Sequence, residues 1–301
     1  MINWENITKV FSSDLLSRPV KALDDVTFSL VEGSTTGYIG ANGAGKTTSI
    51  KIALGFTSTT KGQVTFAPSL GSDREEIFKH IGFLPERPYF YPHLTGNEFA
   101  QYMGLLSGMT QERMKERVTQ LAERFGIAHA LDRPLRTYSK GMLQRMGFLV
   151  AIQHDPKLIV LDEPLSGLDP LGRKELKDVI VDLSREGKTV FFSTHIVSDV
   201  EEICDRIVFL EKGKLSYNGG VADMLAKASS RVCRVMASFS QEPKFSTPII
   251  EQKSHGSTWQ IKVDTQHREK LLGEILSTGG QVVELSSEGA TLEQIFYGVN
   301  K

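Results

Sequence analysis

A glycine-rich segment that ends in a lysine and two threonines offers the clearest chemistry in the sequence. Residues 40–48 read Gly-Ala-Asn-Gly-Ala-Gly-Lys-Thr-Thr and match the pattern G-x-x-x-x-G-K-[ST]. Glycines let backbone N–H groups turn inward around phosphate oxygens, and a following helix N-terminus adds positive potential. We expect Lys46 to reach the β- and γ-phosphates of a nucleotide and the Thr47 hydroxyl to bind Mg²⁺. A glycine-rich turn that binds nothing is the alternative, and the register of lysine and threonine disfavours it.

Two carboxylates follow a short apolar run further along the chain. Residues 158–161 read Leu-Ile-Val-Leu, and Asp162 and Glu163 come directly after them. Open α/β sheets bind their ligands at the carboxyl ends of strands. Asp162 is suited to hold Mg²⁺ through water, and Glu163 is suited to polarise an attacking water molecule. An apolar strand that ends in acids is often only a strand meeting solvent. Together with the phosphate loop, however, the pair indicates a P-loop nucleoside triphosphatase.

Three further motifs narrow the class of protein. Residues 138–142 read Tyr-Ser-Lys-Gly-Met, residues 166–169 read Ser-Gly-Leu-Asp, and residues 193–195 read Ser-Thr-His. With the phosphate loop and the acidic strand in this order, the chain resembles the ATP-binding cassette (ABC) family over residues 1–220. None of the three motifs would indicate the family by itself, since a lone histidine is more often structural and Ser-x-x-Gly is usually a turn.

The resemblance implies a role for each matching residue around one nucleotide. Asp162 would support the metal, Glu163 would act as the general base, and His195 would contact the γ-phosphate and help to place Glu163 and the water. The phosphate-loop residues for which it implies contacts with phosphate and Mg²⁺ are Gly40, Asn42, Gly43, Gly45, Lys46, Thr47 and Thr48.

Other matching residues imply a second cassette. Ser139 and Gly141, at a helix N-terminus, would direct a hydroxyl and N–H groups at the γ-phosphate held by the opposite subunit. Asp169 would lie at the interface of the pair and couple the two sites. Phe11 takes the position at which the family places an aromatic ring against adenine. Residues 12–19 are long for the loop that follows it, and a hydrophobic strand end is the alternative there.

The sequence departs from the family pattern in two motifs. Glu86 stands where most members have a glutamine that senses the metal and contacts the membrane partner, and a glutamate can still accept from water or reach Mg²⁺. Lys140 and Met142 depart from the usual Leu-Ser-Gly-Gly-Gln signature. Both variants resemble those of single-cassette exporter ATPases. Residues 88–98, which follow Glu86, and the tail that ends at Phe296 resemble the same subgroup.

The elements that must position these motifs have an α/β pattern. A helix is predicted over residues 46–55, directly after the phosphate loop, and apolar residues at helical spacing predict another over residues 171–185. Strand, crossover helix and strand make the βαβ unit of a P-loop fold with a parallel sheet. Strands, most of them short and apolar, are predicted at residues 26–31, 36–39, 158–161 and 189–193.

Residues from about 92 to 154 predict a mostly helical insert in this body. Thr110 suits the N-cap of a helix, and an apolar stripe follows it at spacings of four, seven and eleven residues. That stripe consists of Met114, Val118, Leu121 and Phe125. We therefore expect an ABC nucleotide-binding domain over residues 1–228 with a helical subdomain inside it.

Residues 229–301 predict a small α+β domain that is regulatory or dimer-stabilising, or a folded appendage without a ligand of its own. Thr291 and Gln294 fit a capping box that opens a final helix through Phe296. A helix predicted at 221–228 leads to the boundary of this domain, and the other elements predicted beyond it are strands at 232–239, 259–263 and 281–285 and a helix at 266–276.

Composition excludes several classes of function. The chain has 301 residues and a formal net charge of −1, from 35 Lys+Arg and 36 Asp+Glu, which argues against a nucleic-acid partner. Its apolar runs fall short of the ~20 residues that span a bilayer, and its N-terminus lacks a signal-peptide pattern. Cys204 and Cys233 lack metal-ligand spacing and suit a reducing compartment. We expect a cytoplasmic protein held peripherally at the inner face of the cell membrane by another subunit.

The resemblance implies the ATP-hydrolysing subunit of an ABC exporter. Each site needs a signature from another cassette, so we expect a head-to-tail homodimer or heterodimer that closes over two ATP. A polytopic permease would dock at the groove beside Glu86 and the helical insert. Two alternatives stay open. A soluble ABC ATPase acting on ribosomes or nucleic acid usually carries tandem cassettes or coiled-coil inserts, and a small-molecule kinase would lack the motif at Ser139–Gly141.

Overall fold

The computed structural model describes residues 1–12, 19–227, 229–239, 242–289 and 292–297. These residues group into two compact units, Met1–Val221 and Ala222–Lys301. Each unit has a hydrophobic core of its own. The domain boundary expected after residue 228 stays a prediction.

The first unit alternates strands and helices. Its strands are β1 (Ile2–Phe11), β2 (Val20–Ser29), β3 (Thr35–Ile39), β4 (Lys61–Phe66), β5 (Ile81–Leu84), β6 (Leu158–Leu161), β7 (Thr189–Thr194), β8 (Arg206–Glu211) and β9 (Lys214–Gly220). Its helices are α1 (Lys46–Ala53), α2 (Arg74–Lys79), α3 (Gly96–Leu106), α4 (Gln111–Arg124), α5 (Lys140–Ile152), α6 (Pro170–Arg185) and α7 (Val197–Ile203). A further helix, α8 (Val221–Lys227), begins at the last residue of this unit.

The strand order of the larger sheet explains where the chemistry lies. The order is β5–β6–β7–β3–β8–β9, in which the pairs from β5 through β8 are parallel and β9 is antiparallel to β8. Strand β7 therefore separates β3, which leads into the glycine-rich loop, from β6, which leads into Asp162. Because the carboxyl ends of parallel strands meet at one edge, the loops after β3, β6 and β7 become neighbours.

An aromatic cluster joins this sheet to the antiparallel sheet β2–β1–β4. Trp4 stacks on Phe28 with ring centroids 4.2 Å apart, and both rings pack against Phe191, with Tyr38 completing the cluster. All four side chains are buried. The Trp4 indole N–H also donates to the carbonyl of Ser49 in α1, at 3.2 Å. Large buried aromatic surfaces dominate the energetics of a core, so this cluster fixes α1 and the phosphate loop relative to both sheets.

The elements predicted around the phosphate loop are confirmed with shifted ends. Strand β3, strand β6, strand β7 and helix α6 match the expected segments to within one residue. The helix expected over residues 46–55 ends at Ala53, because Gly55 adopts φ +73° and closes the last turn. The strand expected at 26–31 begins earlier, because β2 pairs with β1 from Val20 onward, and it ends two residues earlier, at Ser29.

Helices α3, α4 and α5 account for most of the segment in which a helical insert is expected. Helix α3 begins with a capping box formed by Thr95 and Glu98, and Thr110 caps α4 by accepting from the N–H of Arg113. The predicted apolar stripe of α4, from Met114 to Phe125, is buried.

The second unit is an antiparallel sheet packed against a helix. Beyond β10 (Ser229–Ser238), its elements are β11 (Ile249–His255), β12 (Thr258–Asp264), α9 (Arg268–Ser277), β13 (Gln281–Gly289) and α10 (Leu292–Tyr297). The strand order is β11–β12–β10–β13. Strand β11 was not expected, because its sequence, Ile-Ile-Glu-Gln-Lys-Ser-His, has no apolar alternation. The proposed capping residue Thr291 lies outside the described residues.

Candidate functional site

The glycine-rich loop connects β3 to α1, and two of its glycines are required by close backbone contacts. A Cβ atom at Gly40 would lie 2.5 Å from the Leu210 carbonyl oxygen. A Cβ atom at Gly45 would lie 2.5 Å from the Ala22 carbonyl oxygen, and Gly45 also has φ +110°. Gly43 has φ +81°, a left-handed conformation that favours glycine. The loop therefore keeps its shape only with glycine at these positions.

Lys46 lies at the start of α1 with its side chain folded into the loop. Its ammonium donates to the carbonyl oxygen of Gly40 at 2.6 Å and lies 3.3 Å from Glu163 Oε1. The side chains of Lys46 and Glu163 are only 6% and 11% exposed. The lysine charge is thus buried and balanced by one carboxylate.

A serine at the end of β7 holds the two acidic residues in place. The Ser193 hydroxyl donates to Asp162 Oδ1 at 2.5 Å and accepts from the Glu163 N–H at 2.9 Å. Glu163 has φ +50°, an uncommon conformation for a residue other than glycine, which costs free energy unless the surroundings hold it. Ser193 supplies one such constraint. This serine belongs to the Ser-Thr-His motif, but no role was predicted for it. A polar residue near the end of a strand next to β6 could have indicated a contact with the acidic pair.

Glu163 has a different neighbour on each side of its carboxylate. Its Oε2 lies 2.9 Å from His195 Nδ1, and its Oε1, buried beside Lys46, has no hydrogen-bond partner among the described residues. The His195 side chain is 42% exposed. One carboxylate oxygen is thus held by the histidine, while the other retains capacity to accept a proton.

Asp162 is buried beneath this group, and its surroundings favour a bound cation. Burial raises the pKa of Asp162, and the nearby charges of Glu86 and Glu163 raise it further, against opposing hydrogen bonds from Ser193 and Thr47. The Thr47 hydroxyl and the Asp162 carboxylate thus supply hard oxygen ligands at one place, and a nearby positive charge would offset the cost of ionising Asp162. These residues fit Mg²⁺.

A cleft of about 340 Å³ opens above these groups. Ala22 and Ser166 were not predicted as site residues and also line it. The predicted residues that line the cleft are Asn42, Gly43, Gly45, Lys46, Thr47, Thr48, Glu86, Glu163 and His195. Gly40 and Asp162 lie behind this lining, in contact with Lys46 and Ser193 respectively.

The structure does not bring the remaining predicted residues to the cleft. Ser139 is exposed and caps α5, where its hydroxyl accepts from the Met142 N–H at 3.2 Å. Asp169 caps α6 by accepting from the Gly172 N–H at 3.1 Å. Gly141 lies in the first turn of α5, near Ser139. Ser139 and Asp169 thus cap their own helices, and none of the three residues lines this chain's cleft.

Lys140, one of the departures from the family signature, contacts the loop at residues 166–169. A Cβ atom at Gly167 would lie 1.9 Å from Lys140 Nζ, and Gly167 has φ +70°. The lysine side chain therefore occupies the space that a side chain at residue 167 would need. A second connection joins the same regions, because the buried Gln144 side-chain amide donates to the Pro164 carbonyl at 2.7 Å.

Glu86 and Phe11 lie at less enclosed positions. Glu86 is 48% exposed at the edge of the cleft, with Oε1 4.0 Å from Arg87 Nε. Phe11 ends β1 with 43% of its surface exposed, and the Lys9 ammonium lies 4.9 Å from its ring centroid. Phe11 does not line the cleft, whereas Ala22 of the adjacent strand β2 does.

A largely parallel sheet defines a P-loop nucleoside triphosphatase when one strand leads into a glycine loop and helix and another, here two positions away, delivers two carboxylates to the same edge. The ABC transporter family model matches residues 23–166. A solved structure of the ATP-binding subunit of an ABC transporter superposes with a TM-score of 0.66 at 27% identity, covering 75% of this chain and 92% of that chain.

Relatives of similar sequence extend the match. An ABC transporter ATP-binding protein of Synechocystis is 41% identical over 74% of this chain, and the alignment spans only 63% of that relative's length. One of Nostoc is 33% identical over 98% of this chain and 88% of the relative. The bacitracin transport ATP-binding protein BcrA of Bacillus licheniformis is 34% identical over 71% of this chain and 68% of BcrA.

The chain therefore belongs to the ATP-binding proteins of the ABC transporter family, and within the P-loop proteins it is an ABC ATPase. The described residues include no helix that is both long and apolar enough to cross a membrane.

Proposed function

We propose that this protein hydrolyses ATP in a head-to-tail pair of cassettes and thereby drives a separate membrane permease, as the ATPase subunit of an exporter. The observation that carries the chemical part is the position of the Glu163 carboxylate, 3.3 Å from the Lys46 ammonium and 2.9 Å from His195 Nδ1 at the cleft. A nucleotide whose phosphates occupy the glycine-rich loop would bring its γ-phosphate to this carboxylate.

The proposed hydrolysis assigns one task to each group in the cleft. The phosphate-loop N–H groups and Lys46 bind the β- and γ-phosphates, so Lys46 exchanges its contact with Gly40 for phosphate oxygens. Glu163 Oε1 accepts a proton from water as the water oxygen bonds to the γ-phosphorus, and the bond to the bridging oxygen breaks to give ADP and phosphate. His195 holds Glu163 and contacts the γ-phosphate.

Mg²⁺ neutralises phosphate charge when it is bound. Thr47 and Asp162 would hold it, and Glu86 at the edge of the cleft would approach it directly or through water. The raised pKa of Asp162 supports this assignment, because burial makes its ionised form costly without a cation nearby. Phe11 is proposed to pack against adenine because of its position in the family pattern, and it ends the strand that pairs with β2, whose Ala22 lines the cleft.

The proposed pair of cassettes follows from what the cleft lacks. Ser139, Gly141 and Asp169 lie outside it, and Ser139 and Asp169 are on the surface. A second cassette placed head to tail would bring its own Ser139 hydroxyl and the N-terminus of its α5 to the γ-phosphate. Positive charge and N–H donors there would stabilise the transition state. Hydrolysis would therefore require pairing, with an identical chain or with a related one.

A permease partner is proposed because of the family to which the chain belongs, and its docking site is proposed at an exposed aromatic surface. Tyr89, Tyr91 and Tyr102 form a chain of edge-to-face contacts with centroids 5.6 and 5.8 Å apart, and each ring is at least 43% exposed. Leu105 and Leu106 extend the patch along α3. This surface begins three residues after Glu86, so a helix of the permease docked there would contact both the patch and the cleft edge. The protein would thereby lie at the cytoplasmic face of the membrane.

The permease assignment can be tested by trapping the closed pair. Tagged Glu163→Gln protein is expressed in the native host, ATP is added, and proteins that co-purify from the membrane fraction are identified. We expect a stoichiometric polytopic protein. The matched control, Glu163→Gln with Lys46→Ala, should lose the nucleotide-dependent part of the capture. Ribosomes, nucleic acid or an empty membrane fraction would instead support a soluble ABC ATPase.

The docking surface has its own test in the same assay. Tyr102→Glu places a charge in the aromatic patch at an exposed position and should abolish capture of the polytopic protein while ATP binding is retained. Lys115→Glu, on the exposed side of α4, is the control and should leave capture unchanged. Loss of capture in both variants, or in neither, would contradict the proposed surface.

A further inference from the structure

Two helices of the first unit begin directly after loops that bear on hydrolysis. Helix α6 starts after Asp169, which caps it, and helix α7 starts at Val197, two residues after His195. The first of these loops would face a second cassette, and the second holds the histidine that contacts Glu163 at 2.9 Å. The first turns of α6 and α7 thus connect to opposite sides of the chemistry.

An ion pair joins those first turns. Arg173 Nη2 donates to Asp199 Oδ1 at 2.9 Å and to Asp199 Oδ2 at 2.8 Å. The Asp199 side chain is 2% exposed and that of Arg173 is 28% exposed. Lys177 Nζ, one turn further along α6, lies 3.5 Å from Asp199 Oδ1 and also pairs with Glu202 of α7. Asp199 is therefore a buried carboxylate whose charge is balanced from α6.

Arg173 is joined to its loop by a backbone hydrogen bond, and Asp199 lies only four residues after His195. The Arg173 N–H donates to the Asp169 carbonyl at 2.9 Å, so a shift of Asp169 is passed to Arg173. On the other side, α7 packs on β3 so closely that a Cβ atom at Gly37 would lie 2.6 Å from the methyl groups of Val200. This contact packs α7 tightly against β3. Asp199 lies in the first turn of α7, so a shift of its carboxylate acts on the short segment between that turn and His195.

We infer that Arg173 and Asp199 form a positioning pair that transmits the state of the Ser166–Asp169 loop to His195, and through His195 to the Glu163 carboxylate. The inference rests on the proposed function, in which Asp169 contacts a second cassette. Contact with that cassette sets the position of Asp169, and the ion pair passes a shift of Asp169 to the start of α7. His195 then holds Glu163 in the orientation that accepts a proton.

Breaking the pair should change turnover more than binding. With Arg173 replaced by methionine, Asp199 is left as a buried charge that Lys177 alone balances at 3.5 Å, and such a charge moves or takes up water. A small displacement of a catalytic group can cost up to about 100-fold in rate. The phosphate loop is not part of this path, so nucleotide affinity should stay within about twofold of wild type.

The experiment measures kcat, KM for ATP, affinity for a fluorescent nucleotide and Tm for a set of variants. We expect Arg173→Met and Asp199→Asn to lower kcat about tenfold or more, with KM nearly unchanged, while Asp199→Glu recovers part of the loss. Arg185→Met removes the exposed ion pair with Asp182 at the other end of α6 and should match wild type.

A double variant distinguishes a role of the pair in positioning His195 from a role in stability alone. Arg173→Met combined with Asp199→Leu replaces the pair by apolar side chains, which usually restores stability. We expect Tm to return toward the wild-type value while kcat stays low. If kcat returns together with Tm, or if the single variants keep wild-type kcat, the inference is wrong. If the wild-type protein itself fails to bind and hydrolyse ATP, the proposed function fails instead.

Discussion

The cleft at the phosphate loop and the surface at the start of α5 both contain polar groups, but these groups differ in burial and in their bonding partners. At the cleft, Lys46 and Asp162 are buried and Glu163 is nearly so. Lys46 pairs with Glu163, Asp162 accepts a hydrogen bond from Ser193, and Glu163 contacts His195. At the surface, Ser139 is exposed, and within the part of the chain that the structure describes its hydroxyl caps its own helix by accepting from the Met142 N–H. The first arrangement is assembled within one chain, whereas the second is open toward solvent.

This difference separates the requirements for binding from those for hydrolysis. A buried charge needs its compensating groups in the same chain to be tolerated in the folded monomer. An exposed helix N-terminus is satisfied by water and needs no partner to fold. A nucleotide can therefore be held by one chain, while the groups that stabilise the transferred phosphoryl come from another. Variants in the two regions should separate these steps.

The largest effect is expected at Glu163. Glu163→Gln removes the proton acceptor while keeping the shape of the side chain, so turnover should fall by about 10²–10⁴-fold. Nucleotide affinity, measured by fluorescence titration, should be retained. Glu112→Gln, in the exposed first turn of α4, is the control and should show wild-type turnover. Near wild-type turnover in Glu163→Gln would remove the general-base assignment.

A smaller effect is expected at the surface region. Ser139→Ala should lower turnover about tenfold, because a donor to the opposite γ-phosphate is lost, without weakening nucleotide binding to the single chain. The same change removes an N-cap worth about 1 kcal/mol. Thr110→Ala removes the equivalent cap from α4 and serves as the control, since it should lower Tm similarly but leave turnover unchanged. Equal turnover in the two variants would place Ser139 outside the chemistry.

Stability should respond to pH with opposite signs at two aspartates. Burial raises the pKa of Asp162, so its contribution to stability falls as the pH rises from about 4 through that raised pKa. Asp162→Asn should therefore raise the Tm of the nucleotide-free protein by a few degrees at pH 7, with the gain disappearing near pH 4. ATP alone should still raise the Tm of this variant, but adding Mg²⁺ together with ATP should give no further rise.

Asp155 is the matched comparison for this measurement. The Lys188 ammonium hydrogen-bonds to Asp155 and holds the pKa of that carboxyl below its usual value. Its ionised form therefore stabilises the fold above about pH 4, and the contribution is lost as the pH falls through the lowered pKa. Asp155→Asn should lower Tm at pH 7. A change of the same sign in both variants would contradict the assigned causes.

The smallest effect is expected from removal of the C-terminal unit. The cleft is lined entirely by residues between Ala22 and His195, so a chain that ends at residue 228 should bind nucleotide with unchanged affinity. Isothermal titration of the truncated and full chains compares them directly. Loss of nucleotide binding would show that the predicted boundary is wrong. Loss of pairing with binding retained would support the dimer-stabilising role.

The sequence predicted the cleft better than the rest because its signals are local. Glycines in a tight loop, a lysine at a helix start and acids after a buried strand are each required by the backbone geometry next to them in the sequence. Strands β4 and β8 gave no comparable signal, since β4 pairs with β1 and β8 pairs with β3, far away along the chain. Strand β1 likewise packs through Trp4 against Phe191 of β7. Strand β11 lies at the edge of its sheet and needs little apolar alternation.

Side-chain contacts between segments far apart in the sequence were the other feature that the sequence did not predict. Ser193 holds two acids thirty residues away, and the Arg173–Asp199 pair spans twenty-six residues. Side-chain types alone do not reveal such pairs, because serines, arginines and aspartates are common on exposed surfaces. The roles of all the predicted site residues stay predictions, and Phe11, Ser139, Gly141 and Asp169 are in addition not brought to this chain's cleft.

The contact between Lys140 and Gly167 bears on which of the two residues can change during evolution. Gly167 has φ +70°, so another residue there is strained whatever its neighbours, while the flexible end of Lys140 can move aside. Gly167→Ala should therefore be harmful with or without Lys140, whereas position 140 can change on its own. In a genetic screen, Lys140→Gly should thus fail to act as an intragenic suppressor of Gly167→Ala, and related lineages should differ at position 140 more readily than at position 167.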